Sequence, residues 1–98
     1  MTATLHIENT VHDYHSWKRA FDKFDQFRVA GGVRQYRVSR RAEDPNRVVI
    51  DLDFDTIDEA TTFRQSLEKV WATPQSQAEL VDHAVTVINE GLEQQAVG

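Results

Sequence analysis

Three observations predict an α+β fold with the order strand, helix, strand, strand, helix, strand. Residues 47–55 place Val48, Ile50, Leu52 and Phe54 on one side of an extended strand and Asp51, Asp53 and Asp55 on the other. One greasy and one acidic face belong to a sheet covered by helices on one side only. Two stretches, Tyr14 to Arg28 and Ala60 to Trp71, carry apolar residues at the spacings of amphipathic helices. Turn-forming residues, Glu43-Asp44-Pro45-Asn46, separate the acidic strand from the strand before it, so these two form a hairpin. The resulting βαββαβ order is the ferredoxin-like split arrangement. Right-handed crossovers then put both helices on one face of a four-stranded antiparallel sheet whose central strands are the first and third.

Each element has its own signal. In the first strand, from about Ala3 to Val11, Leu5, Ile7 and Val11 alternate with His6, Glu8 and Thr10. Asp13 suits a helix N-cap. Tyr14, Trp17, Phe21, Phe24 and Arg28 follow as one stripe, widened by Ala20 and Phe27, while Lys18, Arg19, Asp22, Lys23 and Asp25 fill the far side. Gly31-Gly32 ends the helix as a left-handed cap. The second strand spans Val33 to Arg41 and contains Tyr36 and Val38. Its hairpin register is open: one choice sets Arg37 across from an aspartate, and a slip of one residue sets Tyr36 or Val38 there. Charge pairing favours Arg37 facing the carboxylates. Thr56 with Glu59 forms a capping box, and Ala60, Phe63, Leu67, Val70 and Trp71 mark the buried face of the second long helix. Thr73-Pro74 breaks it, and Pro74 opens a short further helix over Gln75 to Val81. His83 to Leu92 forms the last strand, with Val85 and Val87 against Thr86 and Ile88. Residues 1–93 are expected to make a single domain, with Gln94 to Gly98 as a loose tail.

Composition removes several function classes. Ninety-eight residues make one core, and a chain of this size buries roughly 60–70% of its unfolded surface. The 11 Lys and Arg against 16 Asp and Glu give a formal net charge of -5, unlike the basic face that nucleic acid requires. The dense basic stretch Arg34, Arg37, Arg40 and Arg41 lies beside the acidic strand, where mutual neutralisation accounts for it. The chain has no cysteine, which excludes disulfides, thiolate chemistry and sulfur-based zinc sites. No leader pattern and no membrane-spanning apolar run are visible, so the expectation is a soluble cytoplasmic protein.

The motifs Asp13-Tyr14-His15-Ser16-Trp17-Lys18 with Phe21, Gly31-Gly32-Val33 leading to Tyr36-Arg37-Val38, Asp44-Pro45-Asn46 and Thr73-Pro74 after Trp71 carry a resemblance over nearly the whole chain. The chain resembles the dimeric α+β barrel superfamily, in particular small proteins related to antibiotic biosynthesis monooxygenases. The resemblance implies a homodimer closed through the open sheet faces, with His6, Glu8, Arg37, Asp51 and Asp53 at the interface. It also implies a pocket between each subunit's own sheet and helices, and cofactor-independent oxygenation of a small aromatic, phenolic molecule. Such chemistry needs an apolar slot, a polar group to help deprotonate the phenol and exclusion of water. Trp17, Phe21, Phe63 and Trp71 could line the slot, and Asn9 and His83 could supply the polar contacts. No cofactor is expected.

Competing readings attach to the same residues. An aromatic stripe at helical spacing is commonly plain core, and the alternative function is a non-catalytic dimeric interaction protein. In that case Trp17, Phe21, Phe63 and Trp71 fill the space that an enzyme would leave open. Haem-degrading members of the superfamily use an asparagine on the first strand, a tryptophan on the second helix and a later histidine. Asn9 and Trp71 match in position, but the histidine position aligns near Val81 instead of His83, which weighs against haem ligation. His12 and His15 around Asp13 lack a third ligand, so no metal site is expected. Asp51 and Asp53 with Glu8 project together. They could act as paired acids, and burial without partners would raise at least one of their pKa values.

Overall fold

The computed structural model describes residues 2–97. The expected domain start at Met1 and tail end at Gly98 fall outside the described residues. The elements run β1 (Thr2–Val11), α1 (Tyr14–Lys23), α2 (Asp25–Ala30), β2 (Gln35–Arg41), β3 (Asp44–Phe54), α3 (Ile57–Trp71), α4 (Pro74–Glu79) and β4 (Leu80–Gly91). The strands form one antiparallel sheet in the order β2-β3-β1-β4, so the first and third strands are central. None of the described helices is long and apolar enough to cross a membrane.

Period-two alternation gives each central strand a core face. Ala3, Leu5, Ile7 and Val11 of β1 and Val48, Ile50, Leu52 and Phe54 of β3 are buried, and they pack with Trp17, Ala60 and Phe63 from the helices. The pairs Leu5↔Leu52 and Ile7↔Ile50 stack this face across the two strands. In the hairpin Arg37 stands opposite Asp51, Tyr36 opposite Leu52 and Val38 opposite Ile50. Of the two registers open in the sequence, the chain adopts the one that sets arginine against the carboxylate. The other would have moved Tyr36 and Val38 away from the apolar side.

The caps follow the sequence closely. Asp13 accepts the Ser16 N–H at the start of α1, and Thr56 Oγ1 accepts the Glu59 N–H at 3.1 Å at the start of α3. Thr73 caps α4, with Pro74 as its first residue. Each cap satisfies a backbone donor left free by helix geometry.

Several boundaries differ from expectation, among them the start of β2, at Gln35 instead of Val33, and the end of β4, at Gly91 instead of Leu92. The first long helix is two helices, broken at Phe24, whose N–H bonds the Phe21 carbonyl, three residues back, at 3.1 Å. Phe24 is 38% exposed instead of buried on the stripe, and packs edge-on against Phe27. The break turns Phe27 onto Phe63, their ring centroids 5.1 Å apart, and buries Arg28, so tertiary packing overrides the continuous helical pattern. The hairpin turn is Ala42-Glu43, and Asp44 already belongs to β3. Arg40 pairs with Val48 but Arg41 with Asp44, leaving 45–47 as extra residues on β3. Pro45, which has no N–H to give a ladder, is tolerated in such a bulge, and Asp44 Oδ1 accepts the Asn46 N–H at 3.1 Å. At the other end of the chain, α4 stops at Glu79 instead of Val81, and β4 begins at Leu80 instead of His83. Two bulges in β4 absorb those added residues.

The Gly31-Gly32 pair divides its work. Gly32 holds the left-handed turn, with φ 93°. Gly31 has ordinary helical geometry but lies under the Phe63 ring, where an added Cβ would clash with Phe63 Cδ1 and Cε1. Gly31→Ala is therefore expected to lower stability by about 1–3 kcal/mol, the range for overpacking a core. Chemical denaturation measures this, and a variant as stable as the parent would show that the helix end and Phe63 move apart freely.

Candidate functional site

Between the helices and the covered face of the sheet lies a cavity of about 510 Å³. Its walls include Ile7 and Ile50 from the sheet, Trp17, Phe21, Phe27 and Arg28 from α1 and α2, Phe63, Leu67 and Trp71 from α3, and residues of α4. All four aromatic residues expected to line a slot are here. Trp17 and Phe21 lie at 5.1 Å between ring centroids, and Phe21 meets Tyr36 edge-on at 5.3 Å. Phe63 continues the wall toward Phe54 and Phe27. The aromatic stripe thus serves as core and as cavity wall together.

Asn9 is the polar group that β1 contributes to this face. It is buried, 2% exposed, and lines the cavity. Its Oδ1 accepts a hydrogen bond from His83 Nδ1 at 3.2 Å. His83 reaches Asn9 because of a β-bulge. Glu8 pairs with Val85 and Asn9 with His83, so Ala84 is skipped and the His83 side chain changes face. The imidazole lies against Trp71, ring centroids 4.3 Å apart. Asn9, Trp71 and His83 therefore form one contact chain, but only Asn9 and Trp71 line the cavity, and His83 is exposed beyond them. Among the described residues no histidine lines the cavity, so an iron porphyrin placed there would lack an axial imidazole. No group of three or more His, Asp, Glu or Cys is arranged to hold a metal ion among the described residues.

Arg28 is the feature whose role sequence reasoning missed. It was legible only as the polar member of an apolar stripe. Arg28 is 5% exposed and lines the cavity, with the guanidinium carbon 3.7 Å from the centre of the Phe21 ring. Burial lowers its pKa from the ordinary arginine value, against the opposing influence of Tyr36, Asp25 and Asp22.

The carboxylates lie on the opposite face of the sheet, with the other residues expected at a dimer interface. His6 is held between two of them: Nδ1 is 2.7 Å from Asp51 Oδ1 and Nε2 is 2.9 Å from Glu8 Oε2. Arg41 reaches across β3 to Glu8 Oε1 at 2.8 Å, while Arg37 approaches Asp51 only to 3.8 Å. Asp53 accepts from Thr4 Oγ1 at 2.6 Å and Gln35 Nε2 at 2.7 Å. The hydrogen bond from Arg41, followed by that from His6, lowers the Glu8 pKa, the reverse of the rise that unpartnered burial would give. The bonds to Glu8 and then to Asp51 raise the His6 pKa above 6.5.

That rise has a defined sign. A folded-state pKa above the unfolded one makes His6 stabilising below the unfolded value, and the contribution disappears as pH climbs through the raised folded value. His6→Gln should therefore be less stable than the parent under mildly acidic conditions, with the gap closing as pH rises past the folded pKa. Denaturation curves for both proteins across this range, with the His6 ring titrated by NMR, check the expectation. A gap that widens with pH would contradict it.

No protein-family model matches this sequence, and no curated protein matches it. Similarity appears in the fold. A candidate antibiotic biosynthesis monooxygenase from Bordetella bronchiseptica superposes with TM-score 0.74 at 14% identity, covering 94% of this chain and 98% of that one. SnoaB, a cofactor-independent oxygenase from Streptomyces nogalater, gives TM-score 0.63 at 17% identity, covering 98% and 96%. A dimeric ferredoxin-like protein from an uncultured marine organism gives 0.57 at 8% identity, covering 95% and 93%. The chain shares the ferredoxin-like fold of antibiotic biosynthesis monooxygenase-like structures over nearly its whole length.

Proposed function

We propose that this protein binds a small aromatic molecule in the cavity between its helices and sheet. We infer that it acts there as a cofactor-independent, monooxygenase-type enzyme. One observation carries this reading: the space among Trp17, Phe21, Phe63 and Trp71 is open, about 510 Å³, and has the buried amide of Asn9 in its wall. That volume falls within the roughly 300–1,000 Å³ of small-molecule sites. A purely structural module would have filled the space with those four side chains. The fold shared with SnoaB supports oxygenation as the chemistry.

The roles follow from the geometry. Apolar walls exclude water from a reactive, electron-rich intermediate. Asn9 can hydrogen-bond a phenolic oxygen, and His83 orients the Asn9 amide from outside the cavity. Overall, a ring CH₂ group and dioxygen give a ring carbonyl and water; two hydrogens leave the carbon and one oxygen atom joins it. Titration with 1,8-dihydroxyanthrone should quench the fluorescence of Trp17 and Trp71 saturably and be accompanied by oxygen uptake. Ala20→Phe, which fills part of the cavity, should weaken both. Saturable quenching unchanged in Ala20→Phe would place binding elsewhere, and quenching without oxygen uptake above the uncatalysed rate would leave a binding protein instead of an oxygenase.

The working unit in this reading is a cytoplasmic homodimer joined through the open sheet face, with His6, Glu8, Arg37, Asp51 and Asp53 at its surface. Val87, on the same face and 44% exposed, supplies apolar area for a second copy to cover, and the dimeric ferredoxin-like neighbour supports the arrangement. Light scattering at micromolar concentration should give twice the chain mass. The double substitution Asp51→Lys and Asp53→Lys should halve it, and a monomeric parent would refute the dimer.

A further inference from the structure

The cavity wall contains a cation, Arg28, one of whose hydrogen-bond donors is unfilled. Arg28 Nε is buried and has no hydrogen-bond partner among the described residues. The nearest carboxylate, Asp25 Oδ1, is 3.8 Å from Nη2, beyond hydrogen-bond distance. The flat faces around the guanidinium are aromatic: Phe21 at 3.7 Å and Tyr36 at 5.2 Å from the guanidinium carbon to the ring centres. Stacking stabilises the cation without using its N–H groups. An arginine stays protonated even when buried, so an unfilled donor here is a standing cost to stability.

The other charged groups of the cavity wall are accounted for. Glu79 accepts a hydrogen bond from Ser16 Oγ at 2.9 Å, and Lys23 is exposed. The open sheet face has the opposite character, because His6, Arg41, Thr4 and Gln35 satisfy its carboxylates. Unfilled polar capacity is concentrated at Arg28, at the edge of an aromatic-walled cavity.

We infer that the ligand of this cavity is an aromatic anion whose charged oxygen, a carboxylate or a phenolate, is received by Arg28 while its rings lie among the aromatic walls. This rests on the cavity being the ligand site, and it adds the ligand's charge and the residue that selects it. A phenolate held on Arg28 is also the electron-rich form of a phenol, the form that reacts with dioxygen.

Matched naphthalene probes test the inference. The protein should bind 2-naphthoate at least about tenfold tighter than neutral 2-naphthamide, the factor expected of one charge-assisted hydrogen bond. At neutral pH it should convert bound 2-naphthol to the naphtholate, seen as the longer-wavelength absorption band. The naphthoate preference reports a carboxylate ligand and the naphtholate band a phenolate one. Arg28→Met, an apolar replacement that still covers Phe21, should lose both effects while its melting temperature stays level or rises. Arg28→Lys, which keeps the charge but loses the fork, should retain a reduced preference. Equal binding of naphthoate and naphthamide with no naphtholate band overturns the inference and leaves the cavity as a neutral aromatic site. A preference that survives in Arg28→Met, or a melting temperature well below the parent, also overturns it and assigns Arg28 to the fold. Failure of all three probes to bind removes the ligand site itself, and the inference with it.

Discussion

The register between β1 and β3 is the constraint on which the rest of the molecule depends. It sets Leu5 on Leu52 and Ile7 on Ile50 toward the helices, and His6 beside Asp51 and Thr4 beside Asp53 on the other face. A slip of one residue would turn either Asp51 and Asp53 of β3 or His6 and Glu8 of β1 into the core, and that strand's aliphatic residues out. Desolvating those charges without partners would exceed the stability available to a domain of this size. The register is therefore enforced from both faces. With it comes the position of Asn9 as the polar residue in the apolar row of β1.

Two kinds of polar environment follow from this separation. On the open face donors and acceptors are matched: His6 spans Glu8 and Asp51, and Arg41 crosses β3 to reach Glu8. Such a network suits a surface meant for pairing or for water. On the covered face, the break at Phe24 turns Arg28 inward over Phe21, and the bulge at Ala84 brings His83 against Asn9 and Trp71. Both features are local irregularities in otherwise regular elements, and both bring a polar group to or near the cavity wall. Departures from regular geometry of this kind concentrate where a site needs a side chain re-aimed.

Much of the fold was legible because it rests on period and punctuation. Alternation in 47–55 and 3–11, the caps Asp13 and Thr56, and Pro74 at the start of α4 are local signals that the packed chain has no reason to override. The register of β2 could not be fixed from pattern alone, since Tyr36 and Arg37 are both plausible on either face. Charge complementarity with Asp51 indicated the choice that the fold makes. The helix break at Phe24 was invisible because the stripe from Tyr14 to Arg28 is continuous in sequence. Only the position of Phe63 on a distant helix draws Phe27 and Arg28 around. The turn expected over Glu43 to Asn46 instead falls at Ala42-Glu43, and Pro45 and Asn46 lie in a bulge within β3.

The candidate site was legible in part for the same reason. Helical spacing marked Trp17, Phe21, Phe63 and Trp71 as apolar-face residues and the family resemblance implied a slot among them, whereas strict alternation from Val87 and Val85 would put His83 on the open face. The bulge at Ala84 that reverses this has no local sequence mark. Arg28 in an apolar stripe was visible, but its unfilled Nε depends on where Asp25 and the aromatic rings stand around it in three dimensions.

In the proposed function, ligand chemistry belongs to the helix-covered face and self-association to the open one. Amide chemical-shift mapping with 2-naphthoate tests that division most directly. Perturbations concentrated at Ile7, Asn9, Ala20, Leu67 and Val70, with His6, Glu8, Asp51 and Asp53 unmoved, are the predicted result. Shifts centred on the carboxylate face, with the cavity residues unmoved, would contradict the account.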